Sequence, residues 1–210
     1  QELSAGTSPM NIGYFAFTRK AATEARDRGA KKFPHLDTKT DFPWFRTLHS
    51  LAYHCLGAGS DDLMSGSDYA IFAKETGLAV TTSPETGEEF IVKGDNAILN
   101  EINLARIRGV DLRTHYNKSD MDIEWFYFEF VERAFRQFKA AHMLMDFTDL
   151  IERLIEQQDR LPSLDVLIVD EAQDMSRLQW KLVTALESRA DRVHLAGDDD
   201  QCVFNWAGAD

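Results

Sequence analysis

The chain has few of the features that assign a protein to the membrane or to the secretory pathway. No apolar stretch in its 210 residues approaches the roughly 20 residues that a membrane-spanning helix needs. The first residues do not combine a basic region with an apolar one, so no secretory signal is apparent. We therefore expect a cytoplasmic protein without a membrane partner.

Cysteine is scarce. The sequence contains only Cys55 and Cys202, and they are not closely spaced. A disulfide framework in a small domain uses several cysteines at regular spacing, so this composition excludes one. We expect both thiols to be reduced, as in the cytoplasm.

Positive charge is also scarce. Lys and Arg number 23 against 35 Asp and Glu, for a net charge of −12. Because phosphate contacts normally come from Lys and Arg, this balance argues against a simple nucleic-acid-binding module. Binding of nucleic acid would need basic surface elsewhere in the protein, or bases stacked on aromatic side chains.

The last quarter of the chain holds the most informative pattern. Residues 164–169 form an apolar run, LDVLIV, typical of a buried parallel strand, and the acidic string DEAQD follows at 170–174. A second run, RVHLA at 192–196, is followed by GDDDQ at 197–201. In open α/β sheets, ligands bind at the carboxyl ends of the strands. The two acidic strand ends therefore predict a site for a hydrated divalent cation and a phosphate.

These segments resemble conserved motifs of the UvrD/Rep-type superfamily 1 DNA helicases. VDEAQD at 169–174 is similar to motif II, and GDDDQ at 197–201 with NWAGAD at 205–210 is similar to motif III. FAFTRKAA at 15–22 resembles motif Ia, TLHSL at 47–51 motif Ib, and MDFTDLI at 145–151 motif Ic. Each match alone is moderate evidence, and their order and spacing make the combination strong.

The resemblance implies an α/β fold with a RecA-like parallel sheet flanked by helices. The sheet would be incomplete, since the strand before the phosphate-binding loop is not recognised, and it would carry a mostly helical inserted subdomain. Residues 1–57 and 145–210 would form part of motor core 1A, and residues 58–144 would form the 1B-like insertion.

The resemblance also implies ATP and Mg2+ as cofactors of the full-length protein. Asp170 would hold the metal, directly or through water. Glu171 would polarise the water that attacks the terminal phosphate, and Gln201 would hydrogen-bond that phosphate and the water. Without the resemblance, the same carboxylates indicate only a metal or phosphate site, or a solvated loop.

Five further residues are candidates for contact with single-stranded DNA by the same resemblance. They are Phe17 and Thr18 in motif Ia, Thr47 and His49 in motif Ib, and Trp206 in motif III. Trp206 would stack on a base, although a core tryptophan that anchors the loop is the alternative. A lone histidine at a helix start is also commonly a hydrogen-bonded surface residue.

Local patterns predict the elements that carry these motifs. We expect strands at 12–17, 42–46, 164–169 and 192–196, and a hairpin within 80–92. We expect helices at 19–28 (ended by Gly29), 48–56, 68–77, 95–108, 122–143, 146–158 and 176–189. The helix at 122–143 is rich in aromatics, which we interpret as core rather than as a base-stacking surface. Its predicted buried face is Tyr127, Phe130, Val131, Ala134, Phe138 and Ala141.

No G-x-x-x-x-G-K-[ST] sequence occurs in the chain. That loop supplies backbone N–H groups and a lysine to the phosphates of ATP. The chain therefore looks like a fragment, with the phosphate-loop segment and the second motor domain in the missing remainder of the polypeptide. We expect the full-length protein to couple ATP hydrolysis to translocation on single-stranded DNA and to unwinding at single-/double-strand junctions, in repair or replication. The isolated chain should be inactive.

Two other interpretations stay open. A helicase-like domain that lost its phosphate loop naturally would serve as a scaffold or DNA-binding module. An unrelated α/β metal-dependent hydrolase could use Asp170, Glu171 and Asp198, and it would turn over substrate without ATP.

Overall fold

The computed structural model describes residues 2–85 and 88–198. Six strands occur in these residues: β1 (Ile12–Phe15), β2 (Phe45–Arg46), β3 (Thr81–Glu85), β4 (Glu88–Asp95), β5 (Leu164–Val169) and β6 (Ala190–Leu195). Four of them form one sheet in the order β2-β1-β5-β6, and every pair in it is parallel. The strands β3 and β4 form the predicted antiparallel hairpin.

Eight α-helices lie in the same part of the chain: α1 (Arg19–Lys32), α2 (Leu48–Leu56), α3 (Gly66–Thr76), α4 (Ala97–Ile107), α5 (Leu112–Tyr116), α6 (Trp125–Ala141), α7 (Phe147–Glu156) and α8 (Arg177–Glu187). Among these described helices, none has the length and apolar character needed to cross a bilayer. The short helix α5 has no counterpart in the sequence prediction.

The parallel sheet flanked by helices confirms the predicted fold class. Its centre is β5, whose residues Val166, Leu167 and Val169 are completely buried. A parallel strand covered on both faces needs such a nearly continuous apolar sequence. In the ladder with β1, Phe15 lies opposite Val169. The two acidic residues that follow β5 therefore emerge at the carboxyl edge of the sheet.

Side-chain caps fix the starts of the helices next to the sheet. Thr47 accepts a hydrogen bond from the Ser50 N–H at the start of α2, at 3.1 Å. Asp146 begins α7 in a reciprocal capping box with Asp149, and Ser176 begins α8 in the same way. These boundaries agree with the predictions because caps are encoded by neighbouring residues.

The predicted end of α1 at Gly29 is wrong. The helix continues to Lys32. A Cβ at residue 29 would lie 3.1 Å from the ring of Phe42. Glycine at this position therefore allows the helix to approach Phe42 closely, and it does not end the helix.

The predicted buried face of α6 is rotated from the observed one. Phe128, Val131, Phe135 and Phe138 are buried, whereas Phe130 is 43% exposed and Ala141 is also exposed. Aromatic side chains occur around much of this helix, so periodicity alone does not identify its inner face. The inner face is set by the packing of Phe135 and Phe138 on Phe72 of α3.

The buried apolar side chains form two clusters. One contains the sheet residues and the inner faces of α2, α7 and α8, and the other is built mainly from α3, α4 and α6. The chain crosses between them in two adjacent segments, where the Met64 N–H donates to Met145 O at 2.9 Å and the Met145 N–H donates to Asp62 O at 2.8 Å. The predicted division into core and insertion stays a prediction.

A buried ion cluster lies where the two apolar clusters meet. Arg106 of α4 pairs with Asp146, Asp149 and Glu152, with N–O distances of 2.7, 2.5 and 2.6 Å. Lys139 of α6 lies 2.5 Å from Asp146 and 2.6 Å from Asp149. Two helices of one apolar cluster are thereby joined to the first turns of α7 in the other.

The cluster balances two cations against three carboxylates. Burial opposes the charge on Asp146, but Arg106 and Lys139 more than offset it, so the pKa of Asp146 lies well below its usual range. Burial and the neighbouring charge of Asp146 instead raise the pKa of Asp149. Removing one cation would leave buried negative charge without compensation.

We predict that Lys139→Met lowers the free energy of unfolding by about 3 kcal/mol, because the negative charge of Asp146 and Asp149 then lacks one of its two compensating cations away from solvent. Urea unfolding followed by circular dichroism measures the change. The control is Arg136→Met on the same helix, since Arg136 is 71% exposed and meets Glu132 at 3.4 Å. That variant should lose less than about 1 kcal/mol. Equal losses in the two variants would contradict a stabilising role for the cluster.

Candidate functional site

The carboxyl edge of the sheet brings the end of β5 beside the end of β6. The Ala196 N–H donates to Val169 O at 2.8 Å, and the Ala172 N–H donates to Ala196 O at 2.9 Å. Asp170 and Glu171 lie between these contacts in the sequence, next to the segment that leaves β6. Two other predicted site residues, Gln201 and Trp206, fall outside the residues that the structure describes.

Asp170 is held by two hydrogen bonds. The hydroxyl of Tyr14 on β1 donates to its Oδ2, and the Glu171 N–H donates to its Oδ1 at 3.2 Å. Burial, together with the hydrogen bond and charge of Asp170, raises the pKa of Tyr14 well above its usual range. The phenol therefore stays protonated and acts as the donor.

Glu171 occupies a left-handed backbone conformation, with φ of 54°. Residues other than glycine rarely adopt it, and strained positions of this kind cluster at functional sites. The Glu171 carboxylate accepts a hydrogen bond from Gln173 Nε2 at 2.7 Å. Gln173 Oε1 in turn accepts from the Asp198 N–H at 3.1 Å. The amide of Gln173 thus joins the second carboxylate to the segment after β6.

Gly197 permits this bridge. A Cβ at residue 197 would lie 2.6 Å from Gln173 Oε1 and 3.3 Å from Ala172 N. The first distance is too short for a Cβ, so a larger residue here would force the Gln173 amide to move and would disturb its hydrogen bond with the Asp198 N–H.

The donor atoms fit a magnesium ion that arrives with a phosphate. Within residues 2–85 and 88–198, no group of three or more His, Cys, Asp or Glu side chains could form a dedicated metal site. Mg2+ in nucleotide sites is commonly held by one or two carboxylates, with phosphate oxygens and waters completing its shell. Asp170 and Glu171 can supply those carboxylate oxygens.

A groove of about 380 Å3 lies between the two apolar clusters. Its walls include Phe17 after β1, His49 of α2 and Phe147 of α7, together with the polar side chains of Asn103 and Gln179. The structure therefore brings together two of the predicted DNA-contact residues, Phe17 and His49. It also adds Phe147, which the sequence analysis did not select.

Two other predicted contacts, Thr18 and Thr47, are helix caps. Thr18 accepts a hydrogen bond from the Ala21 N–H at 3.2 Å. Thr47 caps α2 as described above and is only 3% exposed. Their positions are explained by the helix starts, and their contact with DNA stays a prediction.

His49 is neutral in the folded protein. Its ring stacks on Phe147, with a centroid distance of 3.4 Å and an interplanar angle of 18°. Burial lowers its pKa to about 3. At neutral pH this side chain therefore offers hydrogen bonds and an aromatic face, without a positive charge.

Comparison with known proteins gives one family and several relatives. The model of the UvrD/REP helicase N-terminal domain matches residues 3–210. The ATP-dependent DNA helicase Rep of Buchnera aphidicola subsp. Baizongia pistaciae (strain Bp) is 26% identical over 213 residues, covering 96% of this chain and 30% of that protein.

Two further relatives match a similar share of this chain and of their own length. The ATP-dependent DNA helicase PcrA of Bacillus subtilis (strain 168) is 25% identical, over 97% of this chain and 28% of that protein. DNA helicase II of Haemophilus influenzae is 26% identical, over 96% of this chain and 29% of that protein. The chain thus spans about 30% of the length of the curated relatives that it matches.

The half-buried ring of His49, stacked on Phe147, generates a pH-dependent prediction. The unfolded chain binds a proton at His49 near the ordinary pKa of 6.5, but the folded chain does not until about pH 3. The stability that this group contributes is therefore complete above pH 6.5 and is lost as the pH falls. Between pH 7 and 5.5 the loss should be about 1 kcal/mol.

His49→Phe keeps a stacked ring but cannot be protonated. Between pH 7 and 5.5, we expect its free energy of unfolding to fall by about 1 kcal/mol less than that of the unmodified chain. Urea unfolding at the two pH values measures the difference. His35→Phe, at an exposed histidine, is the matched control and should behave like the unmodified chain. The same pH dependence in all three proteins would refute the lowered pKa of His49.

Proposed function

The chain belongs to the UvrD/REP helicase N-terminal domain family, and from this premise we propose that it forms part of the first motor domain of an ATP-dependent DNA helicase. The full-length protein would couple ATP hydrolysis to movement along single-stranded DNA and to unwinding at single-/double-strand junctions. The observation that carries the proposal is the position of Asp170 and Glu171 at the carboxyl end of β5, beside the end of β6.

We assign the chemistry of ATP hydrolysis to the sheet edge. Asp170 would hold Mg2+, which when bound neutralises developing charge on the phosphates. Glu171 would accept the proton of the attacking water, a role that contributes roughly 10²–10⁴-fold to rate in enzymes. Its left-handed backbone ends the extended path of β5, and Gln173 donates a hydrogen bond to its carboxylate. Gln201 would contact the terminal phosphate.

We assign DNA contact to the groove and to Trp206. Phe17, His49 and Phe147 line the groove, and stacking on an aromatic ring contributes about 1–3 kcal/mol per base. The net charge of −12 and the neutral His49 agree with contact that depends more on stacking than on ion pairs. Binding by this chain should therefore respond weakly to salt.

The proposed division of the chain follows the two apolar clusters. Residues 1–57 and 145–210 would form part of the motor core, and residues 58–144 would form the insertion. The groove between the clusters and the ion cluster at their junction support this division. A cytoplasmic location, with a role in DNA repair or replication, completes the proposal.

We predict that this chain alone releases no phosphate from ATP in the presence of single-stranded DNA, because its residues do not include the phosphate-loop lysine. A colorimetric phosphate assay measures the rate. Glu171→Gln, prepared in the same way, reports contaminating activity. DNA-stimulated release by the chain above the level of that variant would contradict the prediction. Metal-dependent turnover of a phosphodiester without ATP would instead favour the hydrolase interpretation.

A second prediction concerns the groove. Phe17→Leu should weaken binding of a fluorescent oligothymidylate about tenfold at low salt, because one stacking face is lost. Fluorescence polarisation gives the affinity. Phe33→Leu, at a half-buried phenylalanine just after α1, is the control and should bind as tightly as the unmodified chain. If Phe17→Leu binds with unchanged affinity, the groove is not the DNA surface.

A further inference from the structure

Strand register places Tyr14 and Asp170 on the same face of the sheet. In the β1–β5 pair, Tyr14 lies opposite Ile168, and Asp170 is two residues beyond Ile168. Side chains two residues apart on an extended chain point to the same face. The hydroxyl of Tyr14 can therefore reach diagonally across to the carboxylate, and it donates to Asp170 Oδ2.

The ring of Tyr14 is held from the other side by β2. Tyr14 stacks on Phe45, with centroids 5.5 Å apart and an interplanar angle of 17°. Phe45 in turn meets Phe42 edge to face at 5.0 Å. This aromatic row limits lateral movement of the phenol, so its hydroxyl stays directed at the end of β5.

The two hydrogen bonds to Asp170 leave it able to bind further partners. Oδ2 accepts from Tyr14 and Oδ1 accepts from the Glu171 N–H. Each carboxylate oxygen has about two lone-pair sites, so each retains capacity for a metal ion or a metal-bound water. Bonds to both oxygens fix the rotation of the carboxylate about its Cβ–Cγ bond.

We propose that Tyr14 is a positioning residue that fixes the carboxylate of Asp170 for a divalent cation. The inference rests on the proposed metal-holding role of Asp170. Hydrogen-bond partners that orient metal-binding side chains typically account for 10–100-fold in metal affinity. Tyr14 acts through Asp170 and does not itself bind the ion.

The test uses Mn2+ in the presence of inorganic phosphate as a paramagnetic probe of the 210-residue chain. The readout is broadening of the backbone amide signals of Glu171 and Ala172. Tyr14→Phe keeps the ring stacked on Phe45 and removes only the hydroxyl. It should require about tenfold more Mn2+ for the same broadening. Asp170→Asn should abolish the site-specific broadening.

Tyr116→Phe is the matched control, because it also removes a tyrosine hydroxyl that donates a hydrogen bond, here to Ile123 O at 2.6 Å. Tyr116 packs against the other apolar cluster, so its variant also loses a hydroxyl hydrogen bond but should bind Mn2+ like the unmodified chain. An equal loss of Mn2+ affinity in both tyrosine variants would show that general destabilisation causes the effect, and it would overturn the proposal.

The remaining outcomes separate this proposal from the one on which it rests. If Asp170→Asn loses the broadening while Tyr14→Phe keeps the original Mn2+ affinity or gains affinity, the role of Tyr14 is wrong and the metal assignment stands. If the broadening persists in Asp170→Asn, or is absent from the unmodified chain, the metal assignment is wrong and the role of Tyr14 falls with it.

Discussion

The parallel pairing of β1 with β5 determines the geometry of the whole site. Its ladder continues one step past β5, where the Asp170 N–H donates to Phe15 O at 2.9 Å. This bond fixes the residue at which the strand ends and the acidic segment begins. The same register carries Tyr14 to Asp170, and the neighbouring β6 brings Gly197 to Gln173. A slip of one residue between β1 and β5 would put the side chains of Tyr14 and Asp170 on opposite faces of the sheet.

A second constraint acts at the junction between the apolar clusters. The ion cluster joins the ends of α4 and α6 to the start of α7, and two of its members, Arg106 and Asp146, also line the groove. The position of one apolar cluster relative to the other, and with it the groove, therefore depends on charges that are costly to leave unpaired. The site at the sheet edge and the groove are thus set by different forces, the first by backbone pairing and the second largely by buried charge.

Features encoded by neighbouring residues could be predicted from the sequence, and features that join distant segments could not. The apolar run of β5 and the caps of α2, α7 and α8 are local, and their boundaries agree closely with the structure. The contact of Tyr14 with Asp170 spans 156 positions, and no local pattern specifies the register between such strands. Gly29 and the aromatic face of α6 were misassigned because a tertiary contact, with Phe42 or with Phe72, decides them.

The central claim is that β1, β5 and β6 deliver Asp170, Glu171 and the segment after β6 to one edge of a single sheet. Backbone nuclear Overhauser contacts measured on the isotopically labelled chain test it most directly. The account predicts contacts between the amide of Asp170 and the backbone of Phe15 and Ala16, and between the amide of Ala172 and the backbone of Ala196. Absence of both sets, or contacts that place Asp170 against a different strand, would contradict it.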